Sequence, residues 1–117
     1  MGKITLAEKL TRFDTHWDPH VVARYNDNDV MVVKVRGEFP FHLHETTDDF
    51  FLILSGEVVM DYHDRPSETL RAGDLCVVPK GVTHRPRATQ EAHILLIEPT
   101  GVPNTGDPAT AAAKPSI

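Results

Sequence analysis

The chain has 117 residues, with 12 Lys and Arg against 17 Asp and Glu, and a formal net charge of −5. That length allows one domain, and that charge disfavours nucleic acid, whose phosphates need clustered basic residues. A single cysteine, Cys76, excludes an internal disulfide and fits a reducing compartment. Seven histidines are many for so small a chain, and their placement carries most of the functional information.

The first segment, 1–18, predicts a short helix and an arm. Thr5 followed by Glu8 has the spacing of a capping box, and Leu6, Ala7 and Leu10 share one face. The stretch from Asp14 to Pro19 ends that helix, because proline cannot continue it. The opening residues Met1 to Thr5 lack the apolar stretch of a secretory signal, and no apolar run reaches the ~20 residues of a membrane span. A cytoplasmic location without membrane contact is therefore expected.

Residues 19–99 change character. Short apolar runs alternate with turn clusters such as Asn26-Asp27-Asn28-Asp29, Ser55-Gly56 and Ala72-Gly73-Asp74, the pattern of a β-sandwich or barrel. Strands are predicted at 21–25, 30–36, 38–44, 49–54, 57–62, 68–71, 75–78, 83–87 and 92–97. No long window here has helical periodicity, so a parallel βαβ fold is disfavoured. Several strands are apolar on both faces, as in Phe50-Phe51-Leu52-Ile53-Leu54. This implies a covered outer face, and a homodimer is expected. The last segment, 100–117, is rich in Pro, Gly, Ala and Thr and reads as an extended arm or a flexible tail.

His42 and His44 are two apart on a predicted strand, which puts both on one face. Asp49 begins the next strand, and His84 follows the turn Pro79-Lys80-Gly81. Three imidazoles and one carboxylate converging inside a barrel make a site for one divalent metal ion. Donor chemistry alone does not choose among Mn, Fe, Co, Ni, Cu and Zn, because availability competes with affinity. Strand parity sends Asp48 to the opposite face. His16, His20 and His63 are expected at the surface, His93 at a packed or edge position and Cys76 in the core.

The surrounding residues resemble a known family. Gly37, His42-Leu43-His44, Asp49 and Gly56 resemble the first cupin motif, and Gly73, Pro79-Lys80-Gly81 and His84 resemble the second. Three departures stand out. The spacing from Gly37 to His42 is one residue short, Asp49 replaces the usual Glu, and Ala88 replaces the usual Asn. The resemblance implies an all-β, single-domain cupin β-barrel, or double-stranded β-helix of jelly-roll type, with His42, His44, Asp49 and His84 as metal ligands. Short cupins carrying Gly81-Val82-Thr83-His84-Arg85-Pro86 and a Leu95-to-Gly101 ending are also described as similar to mannose-6-phosphate isomerase.

Parity from the histidines selects Pro40, Phe51, Ile53, Pro86 and Val77 as inward positions, joined by Met60 and Tyr62 from the following strand. The expected pocket therefore includes Phe51, Ile53, Met60, Val77 and Pro86, with the Tyr62 hydroxyl as the one candidate catalytic group. A divalent ion on three neutral imidazoles and one carboxylate keeps a net positive charge, which attracts an anionic or chelating small molecule. The functions compatible with this site are isomerase, lyase or dioxygenase chemistry on a small oxygenated molecule such as a sugar or keto acid. Alternatives are non-catalytic binding or sensing of a small molecule, or a scaffold role.

Overall fold

The computed structural model describes residues 2–117. The helix α1 (Leu6–Leu10) is a single short turn. The Thr5 side chain makes no capping hydrogen bond; its backbone carbonyl accepts the Glu8 and Lys9 amides instead. Seven strands follow: β1 (His20–Tyr25), β2 (Asn28–Glu38), β3 (Asp49–Ser55), β4 (Glu57–Tyr62), β5 (Glu68–Arg71), β6 (Leu75–Val78) and β7 (His84–Pro99).

All named strand pairs are antiparallel, in the order β1-β2-β7-β3-β6, with β4 joining β7 to β5. The 16-residue β7 organises the fold. Its first part pairs with β4, from Tyr62↔His84 to Val59↔Arg87, and its last part with β3, from Ile53↔Ile94 to Phe50↔Ile97. β2 runs along both parts, and its register shifts between Val35 and Gly37. That irregularity lets one strand serve two sheet surfaces and roll them into a barrel. The two strands expected at 83–87 and 92–97 are thus one bent strand. The all-β cupin-type barrel with a short N-terminal helix, expected from the sequence, is the fold observed.

The core fills the barrel with the inward residues of these strands. Met31, Val35, Ile53, Val58, Met60, Val78 and Ile94 are all fully buried. Each such side chain contributes about 1.5–3 kcal/mol of apolar burial. At the β3–β4 turn, Gly56 has φ +82°, and a Cβ there would lie 2.9 Å from the Ala92 Cβ, so only glycine fits.

Two expectations fail in this region. Residues 38–44 form no regular strand beyond the end of β2 at Glu38. Pro40 has no N–H to donate, and beyond Glu38 the segment's backbone bonds to β7 through Phe39 N–H to Pro86 O and the mutual His42–His84 pair. His20 is buried rather than at the surface; its ring stacks on Phe13 at 3.9 Å and bonds the Asp18 carbonyl.

Residues 100–117 run in turns back to the barrel. The Val21 amide donates to the Pro115 carbonyl and the Ile117 amide to the Val21 carbonyl, and the Val21–Ser116 bridge is parallel. Gly106 sits against the Leu43 carbonyl with no room for a Cβ. Among the described residues, no helix is long and apolar enough to cross a membrane.

Candidate metal centre

His42 and His44 lie on the irregular segment before β3, Asp49 opens β3, and His84 opens β7. The short His42–His84 backbone bridge holds these elements together: each amide donates to the other residue's carbonyl, at 3.0 and 2.9 Å. The four side chains present donor atoms that all lie within 4.8 Å of one another, a group that can hold a metal ion. Asp49 Oδ2 is the hub, 3.0 Å from His84 Nε2, 3.3 Å from His44 Nε2 and 4.0 Å from His42 Nε2.

Backbone carbonyls set the imidazole orientations. His42 Nδ1 donates to the Pro40 carbonyl at 2.9 Å, and His84 Nδ1 to the Val82 carbonyl at 2.8 Å. Those bonds place the protons on Nδ1 and aim Nε2 inward, the arrangement that metal-binding histidines use. Phe39 meets the His42 ring edge-on at 5.1 Å, and Phe51 meets His84 at 6.1 Å. His44 Nε2 is buried without a hydrogen bond; it lies near Asp49 but off the bonding direction. A buried ring nitrogen left without a hydrogen bond is costly, and a metal ion taking the place of its proton would satisfy it, so the residues fit a metal.

The electrostatics point the same way. Burial pushes the His42 pKa down to about 4, leaving a neutral imidazole available as a donor. The Asp49 carboxylate raises the His44 pKa above its ordinary 6.5, against the effect of burial. Burial alone would raise the Asp49 pKa, but His44 and His84 together hold it down to about 2, so the carboxylate is ionised.

A small cavity of about 40 Å3 opens beside this cluster. Trp17, Phe39, Phe51 and Pro86 wall it, and His42 and Asp49 reach its floor. Of the pocket residues expected from the sequence, Phe51 and Pro86 line the cavity, while Ile53 and Met60 lie deeper in the solid core. Val77 is a correction. It pairs with Phe50, and Asp49 and Phe51 pair with Val78 and Cys76, so the inward residues of β6 are Cys76 and Val78 and Val77 is 48% exposed outside. Tyr62 is turned away from the cavity: its hydroxyl donates to Glu68 Oε1 at 2.5 Å and lies 3.5 Å from Cys76 Sγ. Burial pushes its phenol pKa well up, so it stays a neutral donor. Asp48 caps the Lys80 amide at the surface, and Arg85 and Arg87 both bind Asp61.

Among the lining residues that escaped the sequence reading, three carry polar side-chain atoms: Trp17, Glu98 and Asn104. Trp17 adopts a φ of +62°, held there by its amide on the Lys34 carbonyl and its indole N–H on the Arg36 carbonyl. A non-glycine residue in that region carries strain, and here it puts the indole at the cavity wall. Glu98 continues the inward alternation of Ile94 and Leu96, a signal present in the sequence. Asn104 comes from the C-terminal segment and had no periodicity to reveal it.

The Cupin domain family matches residues 29–98, more than half of the chain. The chain belongs to the cupins. Among curated proteins, this cupin is 32% identical over 77 residues to the uncharacterized protein YdbB of Bacillus subtilis, covering 66% of this chain and 68% of YdbB. A solved cupin-2 domain containing protein from Shewanella frigidimarina superposes with a TM-score of 0.80 at 42% identity, covering 82% of this chain and 93% of that one. The hydroquinone 1,2-dioxygenase PnpCD, solved with Fe3+, superposes with a TM-score of 0.76 at 26% identity. That match spans 91% of this cupin but 34% of the dioxygenase chain.

Proposed function

We propose that this cupin is a metal-dependent dioxygenase of small hydroxylated aromatic molecules, with His42, His44, His84 and Asp49 as the ligands of one divalent ion. The observation that carries the reading is the convergence of those four donors beside a cavity walled by aromatic rings, with His42 and Asp49 reaching into it. Iron is the ion this reading favours, in keeping with the Fe3+ of the dioxygenase neighbour.

An iron ion bound there supplies the redox chemistry that activates dioxygen. The protein's residues do the rest. Pro40 and Val82 carbonyls keep two imidazoles aimed at one point, Asp49 lowers the charge of the site, and Trp17 and Phe39, with ring centroids 5.0 Å apart, offer flat faces to an aromatic ring. Apolar walls exclude water and strengthen polar contacts inside. A sugar-phosphate isomerase role has less support, because neither Lys nor Arg lines the cavity among the described residues.

The test is protein purified without an affinity tag, analysed for metals, reconstituted with iron under anaerobic conditions and supplied with hydroquinone or catechol while oxygen is monitored. Oxygen uptake that disappears in His84→Ala supports the reading. Iron-loaded protein that binds these diphenols without consuming oxygen overturns it in favour of a non-catalytic binding role.

We also propose a homodimer. Leu75 and Val77 are 55% and 48% exposed, and the strand register places them beside half-buried Leu52, Phe50, Leu95 and Ile97. An apolar ladder of this kind on an outer sheet face is suited to a second copy.

A further inference from the structure

The cavity wall is apolar except at a few points. Leaving aside His42 and Asp49, and Trp17 with its indole N–H committed to Arg36, the polar side chains lining it are Glu98 and Asn104. A small-molecule site uses its few polar groups to fix orientation, so what these two can bind determines what the cavity selects.

Both are held in place from the C-terminal segment. Lys114 Nζ donates to Glu98 Oε2 at 2.9 Å and also to the Val102 carbonyl, two residues before Asn104. One half-buried ammonium thus ties the acidic residue of β7 to the segment that carries the amide. The Ala112 amide donates to Asn104 Oδ1 at 2.9 Å. A backbone N–H can only donate, so the atom facing it is the oxygen and the Asn104 NH2 is the end left over. Among the described residues, neither the Asn104 NH2 nor Glu98 Oε1 has a hydrogen-bond partner in the protein.

A carboxylate oxygen that accepts and an amide NH2 that donates, in one apolar cavity, complement a group that donates and accepts at once: a hydroxyl. The geometry points to Glu98 and Asn104 as the specificity-determining pair of this cavity, selecting an aromatic ligand that carries a free hydroxyl in addition to the oxygen directed at the metal, with Lys114 as their positioning residue. This rests on the proposed aromatic ligand class but not on turnover. Glu98 closes the matched family region, whereas Asn104, Ala112 and Lys114 lie beyond it, so the C-terminal segment supplies one member of the pair and the contacts that hold both.

The test uses full-length protein loaded with zinc, which cannot turn the ligand over, and calorimetric titration with three para-substituted probes. Hydroquinone has a second hydroxyl, 4-methoxyphenol replaces it with an ether that accepts but cannot donate, and 4-methylphenol has neither. Wild-type protein is expected to bind hydroquinone about tenfold more tightly than 4-methylphenol, with 4-methoxyphenol between them. In Asn104→Ala and in Glu98→Gln that preference is expected to fall to about threefold or less, while zinc content and 4-methylphenol affinity stay at the wild-type level. Equal binding of the three probes by wild-type protein, or a tenfold preference retained in both variants, overturns the proposal. If the preference appears but the iron form consumes no oxygen, the dioxygenase reading fails and this assignment stands.

Discussion

His84 Nε2 lies 3.0 Å from Asp49 Oδ2, across 35 residues of sequence and inside a site where their side chains are 1% and 5% exposed. A buried contact of this kind is held by the strands on either side, since Asp49 opens β3 and His84 opens β7. Removing His84 takes away a donor and leaves a buried carboxylate with less compensation. His84→Ala is expected to weaken metal binding at least about 100-fold. In wild-type protein, metal at 100 times its dissociation constant stabilises the fold by about 2.7 kcal/mol, or a rise in Tm of roughly 10 °C for a domain of this size. Differential scanning fluorimetry with and without metal should show that rise in the wild type and its loss in His84→Ala.

The protonation states make metal binding pH-dependent with a defined sign. His42, pushed down to about 4, is already neutral in mildly acidic solution. Asp49, held down to about 2, is ionised throughout. His44 differs: Asp49 raises it, so it carries a proton up to and beyond its ordinary 6.5. A metal ion must displace that proton. Apparent affinity, measured by chelator competition, should therefore climb as pH rises through the region above 6.5 and release about one proton per ion. A flat profile across neutral pH would contradict the protonation of His44.

Much of this site was legible in the sequence, for a physical reason. His42 and His44 at i, i+2 face the same way whether or not hydrogen bonds make their segment a regular strand, so the pairing survived Pro40's disruption of the strand. Period-two alternation selected Phe51 and Pro86, and both stand on the cavity wall. Val77 failed because its parity was counted from the wrong strand; the β3–β6 register, which no single segment encodes, makes Cys76 and Val78 the inward pair. Trp17 and Asn104 come from segments without periodicity, whose positions depend on hydrogen bonds to distant carbonyls and amides. The continuity of β7 was equally invisible: the sequence reading ended one strand at residue 87 and began the next at 92, where the structure has one strand.

Away from the metal centre, Asp61 is the clearest acid-sensitive element. Arg87, then Ser67 and Arg85, bind its carboxylate and hold its pKa down to about 2, against an ordinary 3.8. A carboxyl with a lowered folded-state pKa stabilises the fold fully above its unfolded value and loses that contribution as pH falls toward the folded one. The loss should fall between about pH 4 and 2, and amount to about 1 kcal/mol after solvent screening of the partly exposed arginines. Urea unfolding at a series of acidic pH values should show wild-type stability declining more steeply than that of Asp61→Asn, with the two curves converging at the lowest pH.

The apolar ladder on the outer sheet face yields the last prediction. Val77 pairs with Phe50 in the β3–β6 register and stands 48% exposed, so a charge there touches nothing in the monomer's core. If two copies meet on this face, Val77→Glu buries an unpaired carboxylate in the interface of each subunit, a cost of several kcal/mol per dimer. Analytical ultracentrifugation should then show wild-type protein as a dimer and Val77→Glu as a monomer with an unchanged circular dichroism spectrum. The variant should also keep its metal, because Val77 lies on the outer face, away from the cluster of His42, His44, Asp49 and His84. A wild-type monomer at micromolar concentration would leave the face uncovered, and the prediction would fail.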